Sequence, residues 1–141
     1  MKENKDIFVL DTSALLTFIE DENGSEYIEN LLLGAEREEE VIYVSFISLA
    51  EVFYIIIQEK SESEALRRIK LIQSLAVKVI ESNESLNLRA GKLKATNRIS
   101  LADAFIAALC QEINGTLVHK DPEFENLTSS LKEYRLPYKD T

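Results

Sequence analysis

The chain has 141 residues, the size of one ordinary domain. At 45% hydrophobic, with a single cysteine, it can pack a core but can form neither an internal disulfide nor a cysteine-rich zinc site, which suits a reducing cytoplasm. The formal charge of −9, from 25 acidic and 16 basic residues, excludes a broadly basic face, so any contact with nucleic acid must rest on local patches.

Residues 1–6 are mostly charged or polar, which predicts no secretory leader. The longest apolar run, residues 52–57, falls far short of the ~20 residues a membrane helix needs. Residues 7–10 form a short continuous apolar run, as a buried parallel strand does. Asp11, Thr12 and Ser13 then offer capping side chains, and Ala14, Leu15, Phe18 and Ile19 follow with helical spacing. Tyr27, Ile28, Leu31 and Leu32 repeat that spacing, and the charged run 36–40 is expected to close the helix as a solvated cluster.

A second strand is predicted over 41–44, and a buried helix over 49–57, with Ser48 as its cap. Residues 62–74 are amphipathic, with Leu66, Ile69 and Ile72 on one side. A third strand is expected at 76–80, helices at 83–95 and 100–113, a turn at Asn114-Gly115 and a fourth strand at 116–118. No repeat or linker interrupts the pattern. Alternating strands and helices predict one α/β domain over 1–141, a parallel sheet covered on both faces.

Four acids stand out, and each has an ordinary structural role. Asp11 ends a strand and can cap the next helix. Ser48-Leu49-Ala50-Glu51 and Ser100-Leu101-Ala102-Asp103 both have capping-box spacing, and Asp121-Pro122 places a cap before a proline at the first helical position. Position argues for more. Asp11, Glu51 and Asp121 all follow strands, and in an open parallel sheet that puts them on the carboxyl edge, where ligands bind. The order of elements does not bring Asp103 there. Clustered carboxylates repel unless a cation neutralises them, and hard oxygen donors suit Mg²⁺ or Mn²⁺.

These residues resemble the PIN-domain family, and within it the small VapC-like toxins of prokaryotic toxin–antitoxin pairs. The likeness rests on an ordered set: an apolar strand ending in Asp11-Thr12-Ser13-Ala14-Leu15, then Ser48-Leu49-Ala50-Glu51-Val52, Ser100-Leu101-Ala102-Asp103-Ala104, and Leu117-Val118-His119-Lys120-Asp121-Pro122-Glu123-Phe124. It implies a three-layer α/β/α fold with a central parallel sheet of four to five strands. It also implies a metal-dependent endoribonuclease, the toxin of a type II toxin–antitoxin pair, with RNA as substrate, an antitoxin protein as partner and a homodimer as the working form. Asp11, Glu51, Asp103 and Asp121 carry over as the catalytic, metal-holding acids, with Mg²⁺ or Mn²⁺ as cofactor and Ser13 as a supporting hydroxyl. The departure is His119, where a hydroxyl residue is usual. The alternative is a non-catalytic module of the same fold that binds RNA or a partner protein.

The remaining candidates are weaker signals. His119 alone cannot run a two-histidine ribonuclease mechanism and is expected at the surface or behind the site. Cys110, on an apolar helix face with no accompanying base, reads as a structural thiol. Arg89, Lys92, Lys94 and Arg98 form a basic stretch that is either a solvated helix face or a phosphate-binding one, and Lys120 is a similar candidate. The apolar excess at Phe53, Tyr54 and residues 55–57 is expected in the core, with some of it at a dimer interface.

Overall fold

The computed structural model describes residues 4–129 and 131–138. Five strands, β1 (Asp6–Leu10), β2 (Glu40–Ser45), β3 (Lys78–Ile80), β4 (Thr116–His119) and β5 (Lys132–Arg135), form one sheet in the order β3-β2-β1-β4-β5. Every pairing is parallel. Six helices cover it: α1 (Thr12–Ile19), α2 (Ser25–Glu36), α3 (Phe46–Glu59), α4 (Glu62–Ser74), α5 (Glu84–Thr96) and α6 (Leu101–Ile113). A short 3-10 helix (Pro122–Asn126) links β4 to β5.

Strand pleating separates two cores. Leu10, Ile42, Val44 and Val118 face one side, where they pack with residues of α1 to α4 such as Leu15, Ile28, Val52 and Ile72. Val9 and Leu117 face the other, against Leu86, Ala90, Ile106 and Ala107 of α5 and α6. The result is the expected three-layer α/β/α arrangement with five strands. The chain winds outward from β1 to β2 and β3, then returns to β4 on the other side of β1. The strand order therefore reverses between β1 and β4, and the carboxyl edge there is a crevice.

Several expectations need correction. The run 36–40 closes α2 at Glu36 with residues 36–39 exposed, as expected, but Glu38 takes a left-handed φ of 61° and Glu40 leaves the cluster for β2. The Glu40 carboxylate tucks under Gly34, where an added Cβ would lie 1.6 Å from Oε2; only glycine leaves it that room. In α4 it is Ala65 and Ile72 that are buried, while Leu66 is half exposed. Leu66 is therefore not a core residue. In α3, Val52 and Ile56 are core, whereas Tyr54 and Ile57 reach solvent. Among the described residues no helix is long and apolar enough to cross a membrane.

Candidate active site at the carboxyl edge of the sheet

Asp11 directly follows β1, and its N–H still donates to the Val118 carbonyl of β4 at 3.2 Å. It thus stands in the crevice at the reversal of strand order, only 1% exposed. Its Oδ1 accepts the Ala14 N–H at 2.7 Å as the cap of α1. The Ser13 hydroxyl lies 2.8 and 2.7 Å from the two carboxylate oxygens, and the same oxygen accepts the Lys120 N–H at 2.8 Å. Ser13 therefore ties Asp11 to the segment leaving β4.

The preceding hydroxyl does the same for the second acid. Thr12 Oγ1 donates to Glu51 Oε1 at 2.6 Å and lies 3.0 Å from Ser48 Oγ. This displaces the capping-box reading of Glu51. The cap of α3 is Ser45, whose hydroxyl accepts the Ile47 N–H, so Ser48 and Glu51 lie inside the helix. Ser48 is fully buried, and Glu51 is held from across the site by Thr12 rather than by its own helix end.

Asp103 keeps only half of its expected box. Ser100 Oγ accepts the Asp103 N–H at 3.1 Å, as a cap should. The return bond to the Ser100 N–H is made by Glu123 instead. The Asp103 carboxyl is released to hydrogen-bond with Asp121. Asp121 in turn caps the 3-10 helix, its Oδ1 accepting the Glu123 N–H at 2.9 Å.

The electrostatics follow from that crowding. Burial is the main reason that Asp103 is pushed up to about 9; its hydrogen bond with Asp121 and the charges of Asp121, Asp11 and Glu123 add to it. Burial also raises Asp11 to about 7, despite the opposing bonds from Ser13 and Ala14, and the Asp121 charge adds a smaller push. Asp11, Asp103 and Asp121 thus feel one another directly, while Glu51 joins them through Thr12. The donors are all hard oxygens, and a divalent cation is the group that would let them ionise together. Among the described residues no three such side chains already form a closed metal cage. The residues fit a cation by the chemistry of their donors, but they stand too far apart to hold one as a group of three in this geometry.

His119 lies behind the site, one of the two places expected of it, and not at the surface. It is fully buried because β5 pairs outside β4, with His119 opposite Arg135. Its Nδ1 accepts the Asp121 N–H at 3.2 Å, which puts the ring proton on Nε2, 3.6 Å from Glu133. Burial, the largest influence, lowers its pKa. The imidazole therefore orients Asp121 from behind.

The basic candidates do not gather at the acids. Lys120 is buried, with Nζ 3.7 Å from Glu22. Arg89 pairs with Glu112 at 3.6 Å and lines, with Lys92, a cleft of about 610 Å³ that contains none of the four acids. Arg98 borders an adjoining depression, and Lys94 is exposed near the end of α5. The hollow beside the acids is smaller, about 270 Å³, lined by Ser13, Leu16, Glu22, Lys120, Asp121 and others. Cys110 is buried and donates to the Gly115 carbonyl at 3.0 Å; burial lifts its pKa to about 12, so it is inert. Sequence reasoning missed the roles of Thr12 and Glu123. The alternating hydroxyls and acids after each strand were the available signal.

No curated protein matches the sequence. Among solved structures, the VapBC2 complex from Rickettsia felis bound to a promoter DNA fragment is similar, with a TM-score of 0.74 at 23% identity over 93% of this chain and 99% of that one. DNA-bound VapBC from Salmonella typhimurium gives 0.73 at 19% identity, over 92% and 98%. VapC20 from Mycobacterium tuberculosis, described as a Sarcin-Ricin loop cleaving toxin, gives 0.66 at 18% identity, over 85% and 93%. At these identities the likeness is one of fold. The PIN domain family model matches residues 8–129, nearly the whole sheet and the acidic crevice with it, and the chain belongs to the PIN-domain family.

Proposed function

We propose that this PIN domain is a metal-dependent endoribonuclease, the toxin of a type II toxin–antitoxin pair acting on RNA in the cytoplasm. The observation that carries the reading is the release of Asp103 from its capping box by Glu123, which turns a buried carboxyl onto Asp121 and Asp11. A fold does not keep such repulsion for stability alone.

In this reading Asp11 and Asp103 hold Mg²⁺ or Mn²⁺, with Glu51 and Asp121 completing the site directly or through water. The bound cation supplies charge neutralisation at the scissile phosphate and a water of lowered pKa. The chain's own residues position it. Ser13 fixes both oxygens of Asp11, Thr12 aims Glu51, and His119 holds the backbone of Asp121. His119 thereby does the orienting work that a hydroxyl residue does elsewhere in the family, so its presence does not argue for a decayed site. Lys94 and Arg98 are the basic-stretch residues left to meet RNA from outside the large cleft. Lys120 can do so only by leaving Glu22. The fold likeness to VapBC complexes supports an antitoxin partner. For the homodimer that the family resemblance implies, the exposed Tyr54 and Ile57 of α3 offer apolar surface.

The open spacing of the acids favours one other reading, a non-catalytic module that binds RNA or a partner protein. Purified protein incubated with total RNA decides between them. Cleavage with Mn²⁺ that is lost in EDTA and in Asp103→Asn supports the nuclease. Equal cleavage in all three samples would mean a contaminant, and binding without cleavage would support the module.

A further inference from the structure

The large cleft lies apart from the acids, between α5, the end of α6 and the segment leading into β5. Its volume of about 610 Å³ is in the range that holds a small-molecule ligand. Its charge is opposite to that of the whole molecule. In a chain of net charge −9, the lining has three cations, Arg89, Lys92 and Lys132, and no acidic residue. Arg89 is partly committed to Glu112 and Gln111. Neither Lys92 nor Lys132 has an ion pair among the described residues.

The rest of the lining completes a recognisable set. Leu93 and Leu131 are apolar, and Asn114 carries an amide, while those of Gln111 and Asn97 are held by Arg89, Ser129, Leu93 and Thr128 and would have to share or exchange a bond. Thr96 and Asn97 also border the depression that Arg98 lines, so the two hollows adjoin and a fourth cation lies in the neighbouring one. Unpaired ammonium groups call for an anion with several acceptor oxygens. Apolar and amide groups beside them fit a flat heterocycle whose edges hydrogen-bond.

We propose that this cleft is a second site, which binds the phosphate ester of a nucleotide, with Lys92 and Lys132 on the phosphate. The ligand is either a free nucleotide or one unit of an RNA chain; both present the same chemistry. The site needs neither a metal nor the acidic crevice, so it stands whether or not the acids cleave RNA.

The test uses the whole protein in EDTA, followed by amide chemical shifts. Adenosine 5′-monophosphate, adenosine, inorganic phosphate and a short oligoribonucleotide are titrated in turn. The expected result is that the monophosphate or the oligonucleotide moves the amides of Gln111, Asn114 and Gly115, and that Lys92→Glu with Lys132→Glu weakens binding by roughly tenfold or more, steeply with salt. Lys70→Glu, an exposed change on α4, should leave it unaltered. Saturation by the monophosphate identifies a free nucleotide; response to the oligonucleotide alone identifies RNA. Adenosine or phosphate binding as tightly as the monophosphate overturns the assignment. So does unchanged affinity in the double variant with its melting temperature intact, or no response to any probe.

Discussion

Replacing Asp103 with asparagine should stabilise the metal-free protein while abolishing cleavage. In the fold Asp103 is raised from its ordinary 3.8 to about 9, so the folded state keeps a proton that the unfolded chain has given up. The sign follows from linkage: this contribution to stability is fully present below pH ~4 and is lost as pH rises through about 9. At 1.4 kcal/mol per unit, the ionised unfolded state is favoured by about 4 kcal/mol at neutral pH, against a typical net stability of ~5–15 kcal/mol. Asparagine has no charge to lose but is still a buried amide, so we halve the gain to about 2 kcal/mol. For a domain of this length that is roughly 6–10 °C. Circular-dichroism melts in EDTA between about pH 6.5 and 8.5 check it. That window avoids His119, whose lowered pKa costs stability only as pH falls through its ordinary 6.5. The wild type should lose melting temperature across the window, and Asp103→Asn should melt higher with a flatter slope. A flat wild-type profile, or a variant that melts lower at the alkaline end, refutes the reasoning.

Thr12→Val should cut cleavage by about a hundredfold through a misaimed Glu51, and cost ~1–3 kcal/mol because Ser48 and Glu51 lose a buried partner; RNA cleavage rates and urea melts measure the two effects. Glu123→Ala should leave the Ser100 N–H without its acceptor and lower stability by ~0.5–2 kcal/mol, read from the urea midpoint. Cys110 should resist thiol reagents such as dithionitrobenzoate in the native protein and react fully after denaturation; labelling within minutes of mixing would contradict its burial.

Hydrophobic patterning carried the fold well where the segments bury apolar residues. β1 to β4 and all six helices read from apolar runs, capping residues and the Asn114-Gly115 turn, with β3 shorter than the predicted 76–80. β5 did not read as a strand, since Lys132, Glu133, Tyr134 and Arg135 are all exposed and alternate nothing. It is held by ladder bonds to β4 and by Tyr134 stacked on Tyr27 at 3.8 Å, and neither partner is local in sequence. The choice between surface and interior for His119 stayed open for the same reason, because β5 is what buries it.

The candidate site shows a second limit. Ser45 and Ser48 are equally good caps as residue types, and local sequence cannot choose between them. Ser48 is instead buried opposite Thr12, thirty-six positions away in the chain. Glu51 thus meets Thr12 across the crevice and does not close a capping box. Asp103 reaches the crevice because α6 starts beside the segment that follows β4, as the Glu123 bond to Ser100 shows. Element order alone did not give that placement; the resemblance did.

Capping and the proposed metal binding need not compete for the same carboxylates. Asp11 and Asp121 each use Oδ1 to accept a helix N–H, from Ala14 and Glu123. The second oxygen of Asp11 meets the Ser13 hydroxyl at 2.7 Å rather than a helix N–H. Asp103 is different, because its own box would occupy the carboxyl, and Glu123 takes that duty over. Three helix N-termini consequently point at one crevice, and their partial positive charges favour anions there. That help does not outweigh burial, since Asp11 and Asp103 both remain raised. The fold therefore holds its acids in place with backbone N–H groups, while burial and the neighbouring acids keep Asp103 protonated at neutral pH. Three unrelated helix caps would not need that proton, and the convergence of these acids on one crevice is what supports the proposed cation site.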